Sequence, residues 1–187
     1  MKAYSGACFA VTVAQNGDII LAGAAGKYPK YDVLVMRLDK HGNVIWSRTY
    51  SGLELDYASN VVALSNGDII VTAYTYEVFG SLPKLWVLRL DGNGNVIWSK
   101  IYEGVSFRFS SVSTKGIIAV GTTSSGVVVF YLDQNGKVLW SKMIRSNSNN
   151  TLEIRDASFA YDGGIVAVGA SYIRDERYHM RPDDAIV

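Results

Sequence analysis

The chain has 187 residues, of which 49% are hydrophobic and 12% aromatic, which is enough apolar material for one sizeable core. Its 18 Lys and Arg residues nearly balance its 17 Asp and Glu residues, so the net charge of +1 gives no electrostatic basis for binding nucleic acid. A single cysteine, Cys8, excludes an intrachain disulfide, and no apolar run approaches the length that spans a membrane. We therefore expect no nucleic acid partner and no membrane insertion.

An internal repeat of about 50 residues organises the chain. The sequence NGDII at 16–20 returns at 66–70 and, in looser form, at 115–118 and 163–166. The sequence GNVIWS at 42–47 returns at 94–99 and as GKVLWS at 136–141, each time with an Asp three residues earlier. Repeats of this kind stack on their neighbours to bury their apolar faces.

The second unit shows the predicted elements of one repeat in chain order. Four strands are predicted, at 58–64, 69–74, 85–90 and 95–102. The pair Asn66-Gly67 predicts a two-residue hairpin turn, because both positions favour positive φ. No segment has a sustained helical period with caps at both ends. The sequence therefore predicts an all-β fold, a β-propeller of four-stranded antiparallel blades with about four repeats, and a β-solenoid is the alternative.

The recurrent tryptophans Trp46, Trp98 and Trp140 each follow a tight turn in the predicted outer strand. A large ring at that position can pack into the neighbouring blade, so we predict that all three are inter-blade core rather than ligand-stacking residues. Cys8 aligns with Ala58 in the first strand of the repeat, which predicts a small buried residue rather than a nucleophile.

The pattern Leu-Asp-x-x-Gly-x-Val-x-Trp-Ser, at 38–47, 90–99 and 132–141, resembles the docking motif of pyrroloquinoline-quinone-type propeller repeats. With NGDIIVTAYTY before it and WSKIYEG at its end, the longer pattern is similar to uncharacterised propeller repeats of archaeal and bacterial surface or secreted proteins. The resemblance covers nearly the whole chain and implies an extracellular or cell-surface location, although no signal peptide is recognised in this chain. It implies no particular function, because propellers host binding proteins, scaffolds and enzymes.

The two ends of the chain match different parts of the repeat. Residues 2–6 match 48–52, the end of a fourth strand, and residues 184–187 match 32–35, the start of a third strand. We therefore expect residues 1–187 to form a single propeller domain, with one blade split between the ends. Residues 2–4 are predicted to pair beside 184–187 and to close either a monomer or a homodimer. The alternative is a piece of a longer repeat array.

Few residues in the chain carry recognisable chemistry. His41 occupies a turn position that is Asn in the other copies, and His179 lies in a charged segment without a second His or a Cys nearby. Glu54 and Asp56 could form a carboxylate pair, but exposed charge is expected at the start of a blade. The residues that hold cofactor and calcium in the quinone dehydrogenases cannot be placed on this sequence. We expect no catalytic residue, no metal and no cofactor.

Candidate binding residues lie at the starts of the innermost strands, in the segments 54–60, 103–110 and 153–156. Mixed aromatic and charged side chains at such a channel mouth suit a polar ligand or a protein partner. The candidates are Asp56, Tyr57, Asn60, Phe107, Arg108, Arg155 and Asp156. Two functions stay open: a non-catalytic interaction or scaffold module, or an enzyme of the quinone-dehydrogenase or sugar-processing propeller type with catalytic residues on its loops.

Overall fold

The computed structural model describes residues 6–78, 81–145, 150–173 and 181–186, and these residues contain fifteen β-strands and no helix. The first eight strands are β1 Gly6–Val13, β2 Ile19–Lys27, β3 Lys30–Leu38, β4 Val44–Tyr50, β5 Leu55–Ala63, β6 Ile69–Tyr76, β7 Lys84–Leu90 and β8 Val96–Tyr102. The remaining strands are β9 Ser106–Ser113, β10 Gly116–Thr123, β11 Gly126–Leu132, β12 Val138–Arg145, β13 Asn150–Phe159, β14 Ile165–Ile173 and β15 Arg181–Ile186. The all-β prediction is confirmed.

The strands form four successive antiparallel units in which neighbours in sequence pair with each other. The first unit is β1–β4, the second β5–β8, the third β9–β12, and the described part of the fourth is β13–β15. A single parallel pairing, between Tyr31 on β3 and Leu55 on β5, joins the first two units into one eight-stranded sheet. The second unit reproduces the four predicted strands closely.

The hairpin turn between β5 and β6 has three residues rather than the two that the Asn66-Gly67 pair predicted. Between β5 and β6, the Leu64 amide donates to the Asp68 carbonyl (2.8 Å) and the Gly67 amide donates to the Leu64 carbonyl (3.0 Å). Gly67 has a φ of 88°, in the left-handed region that glycine adopts at little cost. A turn followed by a left-handed glycine is the usual three-residue hairpin. The same two hydrogen bonds close the turns at residues 14–18, 39–43, 91–95, 133–137 and 160–164.

Three hydrophobic cores lie between successive units. Side chains of a strand alternate between its two faces, so Ile69 and Val71 of β6 pack towards the first unit and Ile70 packs towards the third. The first core includes Ile20, Ala22, Val61 and Leu88, the second includes Ile70, Val87, Val112 and Ile117, and the third includes Ile118, Val120, Ile154 and Ala157. Each unit therefore depends on its neighbours for burial of its apolar faces.

Two of the three repeat tryptophans join adjacent units as predicted. Trp46 is half-buried against the first core, and its Nε1 donates to the Gly92 carbonyl of the second unit at 3.1 Å. Trp98 is half-buried against the second core. The prediction is wrong for Trp140, which is 36% exposed and packs edge-on against Tyr131 of its own unit. Trp46 docks on the β7–β8 turn of the second unit. The corresponding turn of the fourth unit, on which Trp140 would dock, is not among the described residues.

The prediction that Cys8 is buried is also wrong, since its side chain is exposed. Its counterpart Ala58 is only 3% exposed, because the first unit packs on that side of β5. Among the described residues, no unit packs on the equivalent side of β1.

The match of 184–187 to the start of a third strand is supported where the structure describes it. Asp184 on β15 pairs with Ser171 on β14, as Asp32 on β3 pairs with Ala25 on β2. The predicted pairing of residues 2–4 with 184–187 lies outside the described residues, which exclude 1–5 and 187. His179 lies outside them as well.

Candidate functional site

The predicted site residues lie at the end of the units where each first strand begins, on β5, β9 and β13. At this end the connections between second and third strands also emerge, at residues 28–29 in the first unit and at the described residues 77–78 and 81–83 in the second. The opposite end holds the glycine turns. This arrangement separates a loop-rich end, which can vary between units, from a turn-rich end that repeats closely.

Asp56 lies below the surface, contrary to its expected position at the channel mouth. It is 0% exposed, and its carboxylate accepts hydrogen bonds from the backbone amides of Gly52 (2.6 Å) and Leu53 (3.3 Å) and from the Thr75 hydroxyl. These donors fix the loop that leads from β4 into β5. A buried carboxylate with this set of donors organises the backbone and is not available to a ligand.

Phe107 is likewise buried, with 2% of its surface exposed, and belongs to the second core. Its ring centroid is 5.6 Å from that of Phe130. Both rings line an apolar crevice of about 340 Å³ between the second and third units, together with Leu85 and Tyr102. The expected role of Phe107 as an exposed contact is therefore replaced by a packing role.

The remaining polar candidates stay at or near the surface. Asn60 and Asp156 hold equivalent positions after the irregularities in β5 and β13, and each accepts a hydrogen bond from the next backbone amide at 2.8 Å. Arg108 is exposed, and Arg155 pairs with Glu153 on its own strand at 3.5 Å. Each of these contacts stays within one unit, so they do not assemble a shared polar site.

Tyr57 is the predicted residue that the structure places in a cluster. Its ring lies 5.5 Å from that of Tyr31 and 6.3 Å from that of Tyr76, the second pair edge-on. The parallel pairing of Tyr31 with Leu55 brings β3 beside the start of β5 and so places these rings together. Aromatic pairs at such distances hold each other in fixed orientations.

A cleft of about 450 Å³ opens beside this tyrosine cluster, between the first and second units. Its lining combines three aromatic residues with five small ones. The lining residues are Gly6, Ala7, Phe9, Ala24, Ala25, Gly26, Tyr31 and Tyr57. No charged side chain stands among these described lining residues. Phe9 is 56% exposed, so its ring is accessible to a ligand in the cleft.

The tyrosine hydroxyls add hydrogen-bonding capacity to this apolar surface. Burial raises the pKa of Tyr57 above its usual value of 10.0, and the neighbouring hydroxyls of Tyr31, Tyr76 and Tyr28 raise the pKa further. The Tyr57 hydroxyl therefore stays neutral at physiological pH. The cluster presents ring faces together with phenol groups that can donate and accept hydrogen bonds.

One lysine at this end of the molecule is paired with two carboxylates outside the cleft. The Lys84 ammonium lies 2.6 Å from Glu77 and 2.7 Å from Glu103, which joins two loops of the second unit. The two carboxylates, Glu103 first, raise the pKa of Lys84 above 10.5. These partners are largely exposed, so the pairs contribute little to stability.

Sequence reasoning missed a cluster of hydroxyl groups between the second and third units. The Ser59 hydroxyl lies 2.7 Å from that of Ser110, and Ser110 lies 3.0 Å from that of Thr72. Burial raises the pKa of the adjacent Tyr74 to about 12. The sequence did contain a signal for this cluster. Ser110 occupies the position that Val61 and Ala157 hold in the second and fourth units, where the residue is apolar and buried.

At the opposite end, an Asp–Arg ion pair within each of the first two units is joined to the next unit by a hydrogen bond that the arginine donates. Asp68 in the β5–β6 turn accepts hydrogen bonds from Asn66 (2.9 Å) and Arg89 (2.8 Å), and Arg89 also donates to Asn135 of the third unit (3.0 Å). Arg37 joins Asp18 (2.7 Å) to the Gly92 carbonyl (2.7 Å) in the same way. These contacts are structural, since each guanidinium is occupied on both sides.

Within the part of the chain that the structure describes, no group of three or more His, Cys, Asp and Glu residues is arranged to hold a metal ion. The described residues also contain no helix long and apolar enough to cross a lipid bilayer.

Comparisons with known proteins bear on the fold alone. No protein-family model matches the sequence, and no curated protein sequence matches it. The crystal structure of Sqt1 from Chaetomium thermophilum is similar over 90% of this chain, with a TM-score of 0.52 and 13% identity. A puromycin hydrolase structure matches with a TM-score of 0.30 and 12% identity, too low for any argument. This chain spans 43% and 35% of those two proteins, less than half of either.

Proposed function

We propose that this protein is a non-catalytic ligand-binding module of the β-propeller type, and that its binding site is the cleft beside Tyr31 and Tyr57. Four successive antiparallel units with a core between each pair support radial stacking into a propeller. The similarity to Sqt1 is one of fold and adds nothing on the ligand.

The observation that carries the binding proposal is an accessible aromatic cleft with no charged side chain among its described lining residues. The side chains of Tyr31, Tyr57 and Phe9 line this cleft together with Gly and Ala residues, and the two tyrosines carry hydroxyl groups. Aromatic walls with a few polar groups are the usual composition of a small-molecule site. An uncharged ligand with both flat apolar faces and hydroxyl groups fits this surface, which is the chemistry of a neutral saccharide.

The test is titration calorimetry of the full chain with neutral and anionic oligosaccharides. We expect a neutral oligosaccharide to bind, the Tyr57→Ala variant to lose at least about tenfold in affinity, and the sugar to be recovered uncleaved. Tyr161→Ala is the matched control, because Tyr161 is fully exposed in the β13–β14 turn at the opposite end.

If Tyr57→Ala binds neutral sugars with the affinity of the wild type, the cleft beside Tyr57 is not the binding site. Cleavage of the sugar would contradict the non-catalytic proposal and favour a sugar-processing enzyme.

A further inference from the structure

The four units pack on one another through one kind of contact, always between two different surfaces. We call the surface that a unit presents to the preceding unit its leading face, and the surface that it presents to the following unit its trailing face. Within the chain, trailing faces meet leading faces at all three cores. This contact is heterologous, because the two surfaces that meet are not the same.

The trailing face of the fourth unit is exposed. Val166 and Val168 on β14 are 55% and 44% exposed. At the same positions of the third unit, Ile118 and Val120 are 0% and 1% exposed, and in the first unit Ile20 and Ala22 are 1% and 0% exposed. The earlier pairs are buried because a following unit covers them.

The leading face of the first unit is exposed along β1. Val11 and Val13 are 63% and 65% exposed, and Cys8 beside them is exposed as well. At the position of Val11, Val61 and Ala157 are 3% and 4% exposed in the second and fourth units. The outer turn of this unit also lacks a described neighbour, because a Cβ added to Gly42 would meet nothing within 4 Å. In the second unit, a Cβ added to the equivalent Gly94 would meet Tyr50 and Arg48 of the first unit.

The molecule therefore carries both halves of its own interface, one half at each end of the stack. Neither half is covered by any described residue of the same chain. We propose that the leading face of one copy binds the trailing face of a second copy, and that two copies close each other through two such contacts. The occupant is a second copy because the chain already contains three examples of this contact as templates. A heterologous contact closes into a ring when its rotation permits. Ring closure also removes exposed apolar surface, which soluble proteins rarely keep. This inference does not depend on the ligand of the tyrosine cleft.

The template predicts which residues meet. Val61 and Ala22 both belong to the first core, one from each of its two units, and they occupy the positions of Val11 and Val168. A positive charge at Val11 and a negative charge at Val168 should therefore each disrupt the contact alone and attract each other when two variants are mixed. Both positions are exposed in the single chain, so neither substitution threatens its fold.

The experiment is light scattering coupled to size exclusion, with the wild type, Val11→Lys, Val168→Asp and the control Val96→Lys. Each protein is measured at about 100 μM, a concentration at which a contact with a Kd of about 1 μM is nearly saturated. We expect twice the chain mass of 20.5 kDa for the wild type and for Val96→Lys, because Val96 is 50% exposed on an outer strand that the contact does not use. Each end-face variant should run at the single-chain mass. An equimolar mixture of Val11→Lys and Val168→Asp should recover the doubled mass, because one of its two contacts is wild type and the other pairs Lys with Asp.

Alkylation of Cys8 gives a second readout. The thiol should react slowly in the two-copy form and at least about tenfold faster in the Val168→Asp variant, although that substitution lies on the other face. A wild type at the single-chain mass would overturn the proposal. So would a Val168→Asp variant that keeps the doubled mass, since that result would indicate pairing of two leading faces. A mass that grows beyond two copies would overturn the closed pair.

Discussion

Trp46, Trp98 and Trp140 have the same sequence environment and different surroundings. For Trp46 and Trp98, the outer turn of the following unit lies beside the indole. In the third unit that turn contains Gly136, and a Cβ added to Gly136 would lie 2.9 Å from the Trp98 ring. Trp140 has Tyr131 of its own unit and the Lys142 ammonium 5.7 Å from its ring. The burial of a repeated residue is therefore set by the neighbouring unit against which it packs.

Replacement of Trp98 by Ala should therefore destabilise the protein more than replacement of Trp140. Complete loss of a buried Trp costs about 3–5 kcal/mol, and Trp98 is half-buried, so we expect a loss of about 2–3 kcal/mol in the free energy of unfolding. Trp140→Ala should cost about 1 kcal/mol or less. Urea denaturation followed by circular dichroism measures both. Equal losses in the two variants would show that the indole of Trp98 is not docked on the third unit.

Gly136 and Gly42 form a second matched pair. They hold equivalent turn positions with φ of 71° and 86°, so an Ala at either site meets the same left-handed strain of about 1–2 kcal/mol. At Gly136 the added Cβ would also lie 2.6 Å from the Tyr102 hydroxyl and 2.9 Å from the Trp98 ring, whereas at Gly42 it meets nothing within 4 Å.

We expect Gly136→Ala to lose about 1–2 kcal/mol more than Gly42→Ala, because the docked side chains must move apart. The midpoints of urea unfolding of the two variants test this difference. If the Gly42 variant is the less stable of the two, the outer turn of the third unit is not a docking point.

The outer turns, which join the third strand of a unit to its fourth strand, repeat the same hydrogen bonds from unit to unit. In the β7–β8 turn, the Asp91 carboxylate accepts hydrogen bonds from the Asn93 and Asn95 amides at 2.8 Å and from the Asn95 side chain at 2.8 Å. The Asn95 side chain first, then its backbone amide, lowers the pKa of Asp91 below 3.8. Asp39 and Asn43 repeat the arrangement in the first unit, with the pKa of Asp39 lowered in the same way.

These turns should make the protein less stable in acid. A carboxyl whose pKa is lower in the folded state stabilises the fold fully above its unfolded pKa of 3.8, and that contribution disappears as the pH falls through the folded pKa. The free energy of unfolding should therefore fall less between about pH 5 and about pH 2 in Asp91→Asn than in the wild type. Asn95→Ala keeps the charge but removes the first donor, so its pH dependence should lie between the two. Identical slopes in all three proteins would show that this turn does not respond to acid.

At the same scale, the sequence predicted the strands but not every turn or contact. The apolar runs 69–74 and 85–90 are sufficient to place β6 and β7, because a short apolar run bounded by turn residues is typical of a strand buried on both faces. The Asn-Gly pair indicated a hairpin but not that Ser65 would join the loop, since both loop lengths accept Asn-Gly. Asp56 and Phe107 were misplaced for another reason: their burial is created by the preceding loop and by the neighbouring unit, which local sequence does not encode.

At the scale of the whole molecule, stability should be greatest in the middle of the stack. The second and third units have cores on both faces, whereas each end unit has one. In stacked repeats stability is nearly a sum of unit and interface contributions, so units with two interfaces open least often. Strand β12 is exposed at every position from Val138 to Arg145, and it is the outer edge of its sheet.

Amide hydrogen exchange should therefore be slowest in β6, β7, β10 and β11 and fastest, among paired amides, in β1 and β12. Only amides that donate within the strand ladders should be compared, so that differences report opening of the fold rather than missing hydrogen bonds. The Val168→Asp variant is the appropriate sample, because docking of a second copy would protect β1 and hide the gradient. In the wild type at high concentration, protection of β1 should rise towards that of β5, its counterpart in the second unit, while β12 stays fast. Uniform protection across all four units would contradict the additive stack and would mean that the chain unfolds as one cooperative block.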